Sequence, residues 1–168
     1  MFYFIMLHAI ISTALLIVGA ASLSIRKSRH SLHSLLGNVY FWLLTISLPA
    51  GFVIGVVQHP GTYTVFQWVT PPTYCMGLIG YLAVKRRPKA WLGKPWLYWH
   101  IIGQSSSYIG VVTATGFQTF PRAFPIVYHT YLLPMIIILF AIPTIVGTLL
   151  INRTVPRWVK TPIAKSAS

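Results

Sequence analysis

The chain has 168 residues, 55% of them hydrophobic and only 8% charged, with thirteen lysines and arginines, six histidines and no aspartate or glutamate. A soluble domain carries roughly a quarter charged residues, so this composition belongs in a bilayer. The missing carboxylates exclude paired-carboxylate acid/base chemistry, carboxylate metal ligation and ion coupling through a buried acid.

Apolar runs of about 20 residues, enough to cross about 30 Å of hydrocarbon, predict five membrane spans. The first covers 2–23 and carries His8. Ala20-Ala21-Ser22 resembles a small-residue cleavage site, but the basic residues follow this run instead of preceding it, as expected of a retained span with an exported N-terminus. Arg26, Lys27, Arg29 and His30 occupy the first gap. The second span, 36–57, is entered through His33, and the gap behind it holds His59 and no Lys or Arg. The third, 66–84, contains Pro71-Pro72 and Cys75, the lone cysteine, which rules out an internal disulfide and is expected as a small core residue. Lys85, Arg86, Arg87, Lys89 and Lys94 follow it.

The fourth span, 96–117, places His100 about one turn from its start, with Gln104-Ser105-Ser106-Ser107 beyond. No acid exists to orient a histidine base, so these serines are read as helix-packing residues and not as nucleophiles. Arg122 stands in the fourth gap. The fifth span, 126–151, carries His129 near its start, with Pro134 and Pro143 marking kinks or helix starts. Arg153, Arg157, Lys160 and Lys165 come last.

All the cations except Arg122 therefore fall on one side, which the positive-inside rule makes cytoplasmic. The expected architecture is an all-α integral membrane fold of five transmembrane helices. It comprises a four-helix up-and-down core plus a fifth helix, with the N-terminus outside and the C-terminus inside. A single transmembrane domain covers 1–156 and a basic cytoplasmic tail 157–168. The host is a plasma membrane or another energy-transducing membrane. With the cations lying between spans, anionic headgroups are the nearer polyanion and a nucleic-acid role is rejected.

The histidines then form two layers, His8, His129 and His59 toward the outside, His33, His100 and His30 toward the inside. Residues at i+3, i+4 and i+7 share a helix face. The stripe from His100 runs through Gly103, Ser107, Gly110 and Ala114, and that from His33 through Gly37, Tyr40, Leu44, Ser47, Gly51 and Gly55. The stripe from His8 runs through Ser12, Leu15, Gly19 and Ser22. Such faces serve close helix packing. They also clear room for a flat ring, and a neutral imidazole at the end of one, facing another at equal depth, is what axial ligation of haem iron requires.

Leu7-His8, the basic run Arg26-Lys27-Ser28-Arg29, Leu32-His33-Ser34-Leu35-Leu36-Gly37 and Trp99-His100-Ile101-Ile102-Gly103 together resemble the ascorbate-reducible transmembrane b-type cytochromes. They also resemble a related family of uncharacterised bacterial predicted membrane proteins. The resemblance covers about residues 7–117. It implies a four-helix core with two haems, one near each face, each held by histidines of alternate helices. His33 and His100 match the inner pair and His8 one outer ligand. The expected fourth ligand has no counterpart, because Phe66–Pro72 on the third span contains no histidine; His129, or His59 from the outer loop, stands as the substitute.

Two functions follow. In one, the chain binds one haem b, or two, through His33, His100, His8 and His129 and carries electrons in or across the bilayer, to quinone or a protein partner. At most it is then an electron-transfer component of an oxidoreductase. In the other it is a non-catalytic accessory subunit of a larger membrane complex, matched by an acidic partner protein.

Overall fold

The computed structural model describes residues 1–25, 30–61 and 64–159. They form α1 Phe2–Ser24, α2 His30–Gln58, α3 Val65–Arg86, α4 Trp96–Ala123, the short α5 Pro125–Thr130 and α6 Leu132–Val159. Beyond an isolated bridge between Trp91 and Lys94, no strand occurs among the described residues. Arg26, Lys27, Arg29, the side chain of His30 and the tail from Lys160 lie outside the described residues.

Local chemistry sets the helix boundaries. At the start of α3 the Thr64 backbone N–H donates to Gln67 Oε1 at 2.6 Å, satisfying a donor that a helix start leaves orphaned. The helix ends where Arg87 turns left-handed at φ 42. The single run expected over 126–151 is instead broken: α5 stops at Thr130, and Tyr131 leaves the helical region at φ −118, ψ 41 before α6 begins. Pro134 explains the break, since its nitrogen cannot donate to the Thr130 carbonyl four residues back and its ring crowds that oxygen. Pro71 and Pro72, by contrast, lie inside α3.

Pairs of touching residues give the register. A Cβ on Gly51 of α2 would meet His8 of α1, and the His33 ring of α2 bonds the Ser22 carbonyl of α1, so these two helices are antiparallel. Gly55 faces Gln67 and Gly77 faces Leu44 between α2 and α3, while Gly80 faces Gly103 and Gly110 faces Thr73 between α3 and α4. Tyr108 of α4 donates to the Leu16 carbonyl of α1 at 3.3 Å, closing an up-and-down ring of four helices. α6 packs outside it, with Gly147 against Ile109 of α4. α2 and α4 are diagonal and parallel, so their inward side chains meet along the bundle axis.

The interior is polar where a soluble core is not. Leu15, Tyr40, Leu44, Leu48 and Val111 form the apolar centre, yet His8, Ser47, Gln67, Thr70, Thr73, Ser107 and Thr113 are also buried. Outside, large apolar side chains face outward, among them Ile17 at 65% exposure and Leu133 at 68%. A surface of this kind is a patch far beyond what water-soluble monomers show, and it suits lipid. Phe2–Ser24, Ser31–Gln58 and Leu132–Arg153 are each long and apolar enough to cross a membrane. α3 and α4, 22 and 28 residues long, are less apolar because they carry most of the polar interior.

Cys75 is exposed on α3, which corrects the expectation of a core residue. The buried face of that helix is Gln67, Thr70, Thr73, Gly77, Gly80 and Ala83, and Cys75 falls opposite it.

Candidate functional site

His33 enters the bundle from the start of α2 and His100 from the start of α4, and the diagonal placement of those helices brings the two rings together edge to face. Their centroids are 6.2 Å apart and their planes 87° apart. Two metal–imidazole bonds of about 2 Å, with about 1.1 Å from each coordinating nitrogen to its ring centre, span about 6 Å.

Backbone carbonyls fix the chemistry of both rings. His33 Nδ1 lies 3.1 Å from the Ser22 carbonyl of α1, and His100 Nδ1 lies 3.1 Å from the Gly80 carbonyl of α3. A carbonyl only accepts, so each Nδ1 carries a proton; in the neutral ring Nε2 is then the nitrogen with the lone pair. Anchoring of this kind is what orients metal-ligating histidines. The anchors come from α1 and α3, one on either flank, and they turn each Nε2 away from its anchoring helix.

The space beside the pair is bounded on one side. Gly37, one turn beyond His33, has nothing within 4 Å of the position a Cβ would take. Another turn inward the axis closes. Ser107 Oγ donates to the Gln104 carbonyl at 2.9 Å, so Tyr40 is the donor in its 3.0 Å bond to Ser107 Oγ. Leu44 lies beyond, fully buried. Tyr40→Phe should remove only this diagonal bond and lower stability by about 1 kcal/mol, readable as a shift in detergent melting, with the histidine pair left in place.

The outer candidates do not assemble in the same way. His8 is buried and lies among Ser12, Ser47, Phe66, Thr115 and Gln118, around a cavity of ≈ 20 Å³. Ser12 Oγ is 3.4 Å from its Nε2 and 2.7 Å from Ser47 Oγ, while His8 Nδ1 has no hydrogen-bond partner among the described residues. His129 is exposed on α5, its ring 5.7 Å from that of Tyr128. α5 packs on α4 and α6, so His129 is not brought to His8. His59 is exposed just past α2, its backbone N–H bonded to the Gly55 carbonyl. No group of three or more potential metal ligands forms among the described residues.

His33 and His100 are thus brought together, and the outer residues are not: the space beside His8 is about the size for one water molecule, and no second imidazole faces His8 among the described residues. The small residues of the His100 stripe serve a different purpose. Gly103 and Gly110 are covered by α3, where Gly80 and Thr73 press against them. Gly80 and the two anchoring carbonyls were not legible as site residues. A backbone acceptor has no side-chain signature, although Gly77 and Gly80 on one face of α3 were a usable packing signal.

Comparison with protein-family models, curated proteins and solved structures finds no significant match to this chain. Fold and site define a class: an all-helical protein of membrane character, with a facing histidine pair at one end of a four-helix bundle.

Proposed function

We propose that this chain is a multi-pass membrane protein that holds one b-type haem between His33 and His100 and carries electrons in the bilayer. The observation that carries the reading is the facing pair, 6.2 Å apart with both Nδ1 atoms held by carbonyls of flanking helices. In this reading α1, α2, α3, α4 and α6 all cross the membrane, α3 and α4 sheltering their polar faces inside the bundle. The pair sits at the cytoplasmic end, beside the basic α3–α4 connection, and the N-terminus is outside.

Haem bound there would supply one-electron chemistry. The protein's part is to orient both imidazoles through their Nδ1 bonds to the Ser22 and Gly80 carbonyls and keep the axis beyond Tyr40 sealed. Nearby cations, Lys85 and Arg86 among them, favour the reduced state of a site at this end. The resemblance to ascorbate-reducible cytochromes supports the inner site only. Quinone or a partner protein would exchange the electron.

The alternative, an accessory subunit matched by an acidic partner, rests on the cations that this chain has no acidic side chain to pair; the Gly103 and Gly110 face is covered by α3 within the chain and is not offered to such a partner.

The test is a reduced-minus-oxidised visible spectrum of the protein purified in mild detergent. Haem bands at about one haem per chain are expected; their absence rejects the reading. Gly37→Leu gives an independent check. The position is open, so the helical fold should persist by circular dichroism while the haem content falls at least severalfold. Unchanged haem content would mean that the space beside His33 is not used.

A further inference from the structure

The connection between α3 and α4 folds as a small hairpin. Trp91 and Lys94 exchange both backbone hydrogen bonds, at 2.9 and 3.1 Å, and the two residues between them have positive φ, Leu92 at 50 and Gly93 at 72. That is a type I′ turn, whose first central position favours Asn, Asp or Gly. A leucine there is strained, and its side chain, 77% exposed, makes the tip apolar.

The tip is surrounded by charge that this chain has no acidic side chain to neutralise. Lys85, Arg86, Arg87, Lys89 and Lys94 lie within ten residues, all of them exposed. Some are held in place: Arg87 stands over the Trp96 ring at 5.6 Å, Lys94 over Tyr98 at 5.7 Å and Lys85 over Tyr81 at 5.4 Å. Trp99 Nε1 donates to the Trp91 carbonyl at 2.6 Å, and the two indoles are 5.5 Å apart. The hairpin is thus folded back along the first turn of α4.

We propose that this hairpin is a binding site for an anionic phospholipid, with Lys89, Lys94 and Arg87 at the headgroup phosphate and Leu92 among the upper acyl carbons. An acidic protein surface would satisfy the cations alone. A lipid satisfies both the cations and the outward leucine, at the depth where tryptophan and tyrosine gather. The inference rests on the membrane placement proposed above and is independent of haem.

Two measurements test it on the full-length protein. The first is native mass spectrometry after reconstitution in mixed phosphatidylcholine and phosphatidylglycerol. Phosphatidylglycerol should be retained preferentially, and Lys89→Gln with Lys94→Gln should weaken that preference about fivefold per lysine. No preference, or none lost in the double variant, overturns the proposal. So does an acidic protein that copurifies stoichiometrically with the wild type and is lost from the double variant.

The second uses a Cys75→Ser background with a fluorophore on Leu92→Cys or, as control, on Ile145→Cys of the exposed α6 face. Brominated lipid should quench both. Quenching of the control alone, with the Leu92 label answering to aqueous iodide, overturns the hairpin proposal; failure of the control as well overturns the membrane placement and the proposal with it. Leu92→Gly, which relieves the backbone while deleting the side chain, should keep the fold and lose part of the lipid retention. Full retention there counts against insertion of the tip.

Discussion

Alanine in place of His100 should abolish the haem bands of the purified protein while the helical bundle survives. The bond from Nδ1 to the Gly80 carbonyl at 3.1 Å is lost, worth about 1 kcal/mol. One of the two residues that would hold the proposed haem is lost outright. His33→Ala should behave alike, since the site needs both imidazoles. A ligand can be told from a mere packing residue by His100→Gly supplied with free imidazole, which restores the bands only if the deleted ring bound the metal. His129→Ala should leave the spectrum unchanged, because that exposed ring lies against Tyr128 on a helix remote from the pair. Bands that persist in both inner variants, or vanish in His129→Ala, would remove the ligand assignment.

The same substitution, glycine to alanine, should have opposite effects at Gly80 and Gly37. In an open helical position alanine gains up to about 1 kcal/mol over glycine, and Gly37 has nothing within 4 Å of the new methyl. At Gly80 the methyl would lie 2.7 Å from the Gln104 nitrogen and 3.0 Å from the Gly103 carbonyl carbon, both backbone atoms. Neither can turn aside as a side chain does, so α3 and α4 must separate along their most extensive contact. The overpacking cost, about 3 kcal/mol at the upper end of the usual range, exceeds the propensity gain. Gly103→Ala meets Gly80 from the other side and should behave like Gly80→Ala. Unfolding in denaturing detergent measures both signs; equal stability of the Gly80 and Gly37 variants would refute the close helix contact.

These positions also show how far the sequence could be read. Hydropathy placed the helices and their order, because apolar length is a local quantity. Pro134 was recognised as a breaker, yet the split at Tyr131 depends on which carbonyl, that of Thr130, loses its donor. The His100 stripe was legible as a row of small residues. Its occupant was not, since a small face accepts a ring or a helix equally well and only the approach of α3 decides between them.

By itself the sequence determined an all-helical chain of membrane character, with histidines in two layers and no acid to pair with its cations. Each of these follows from composition and from spacing along one helix. The tertiary structure decided that His33 and His100 face each other while His8 and His129 do not. It also decided that the anchors of the inner pair are the carbonyls of Ser22 and Gly80. Contacts across a bundle diagonal join residues 67 positions apart, as Tyr40 and Ser107 are, and they depend on how four helices rotate against one another. No periodicity within a single helix carries that information.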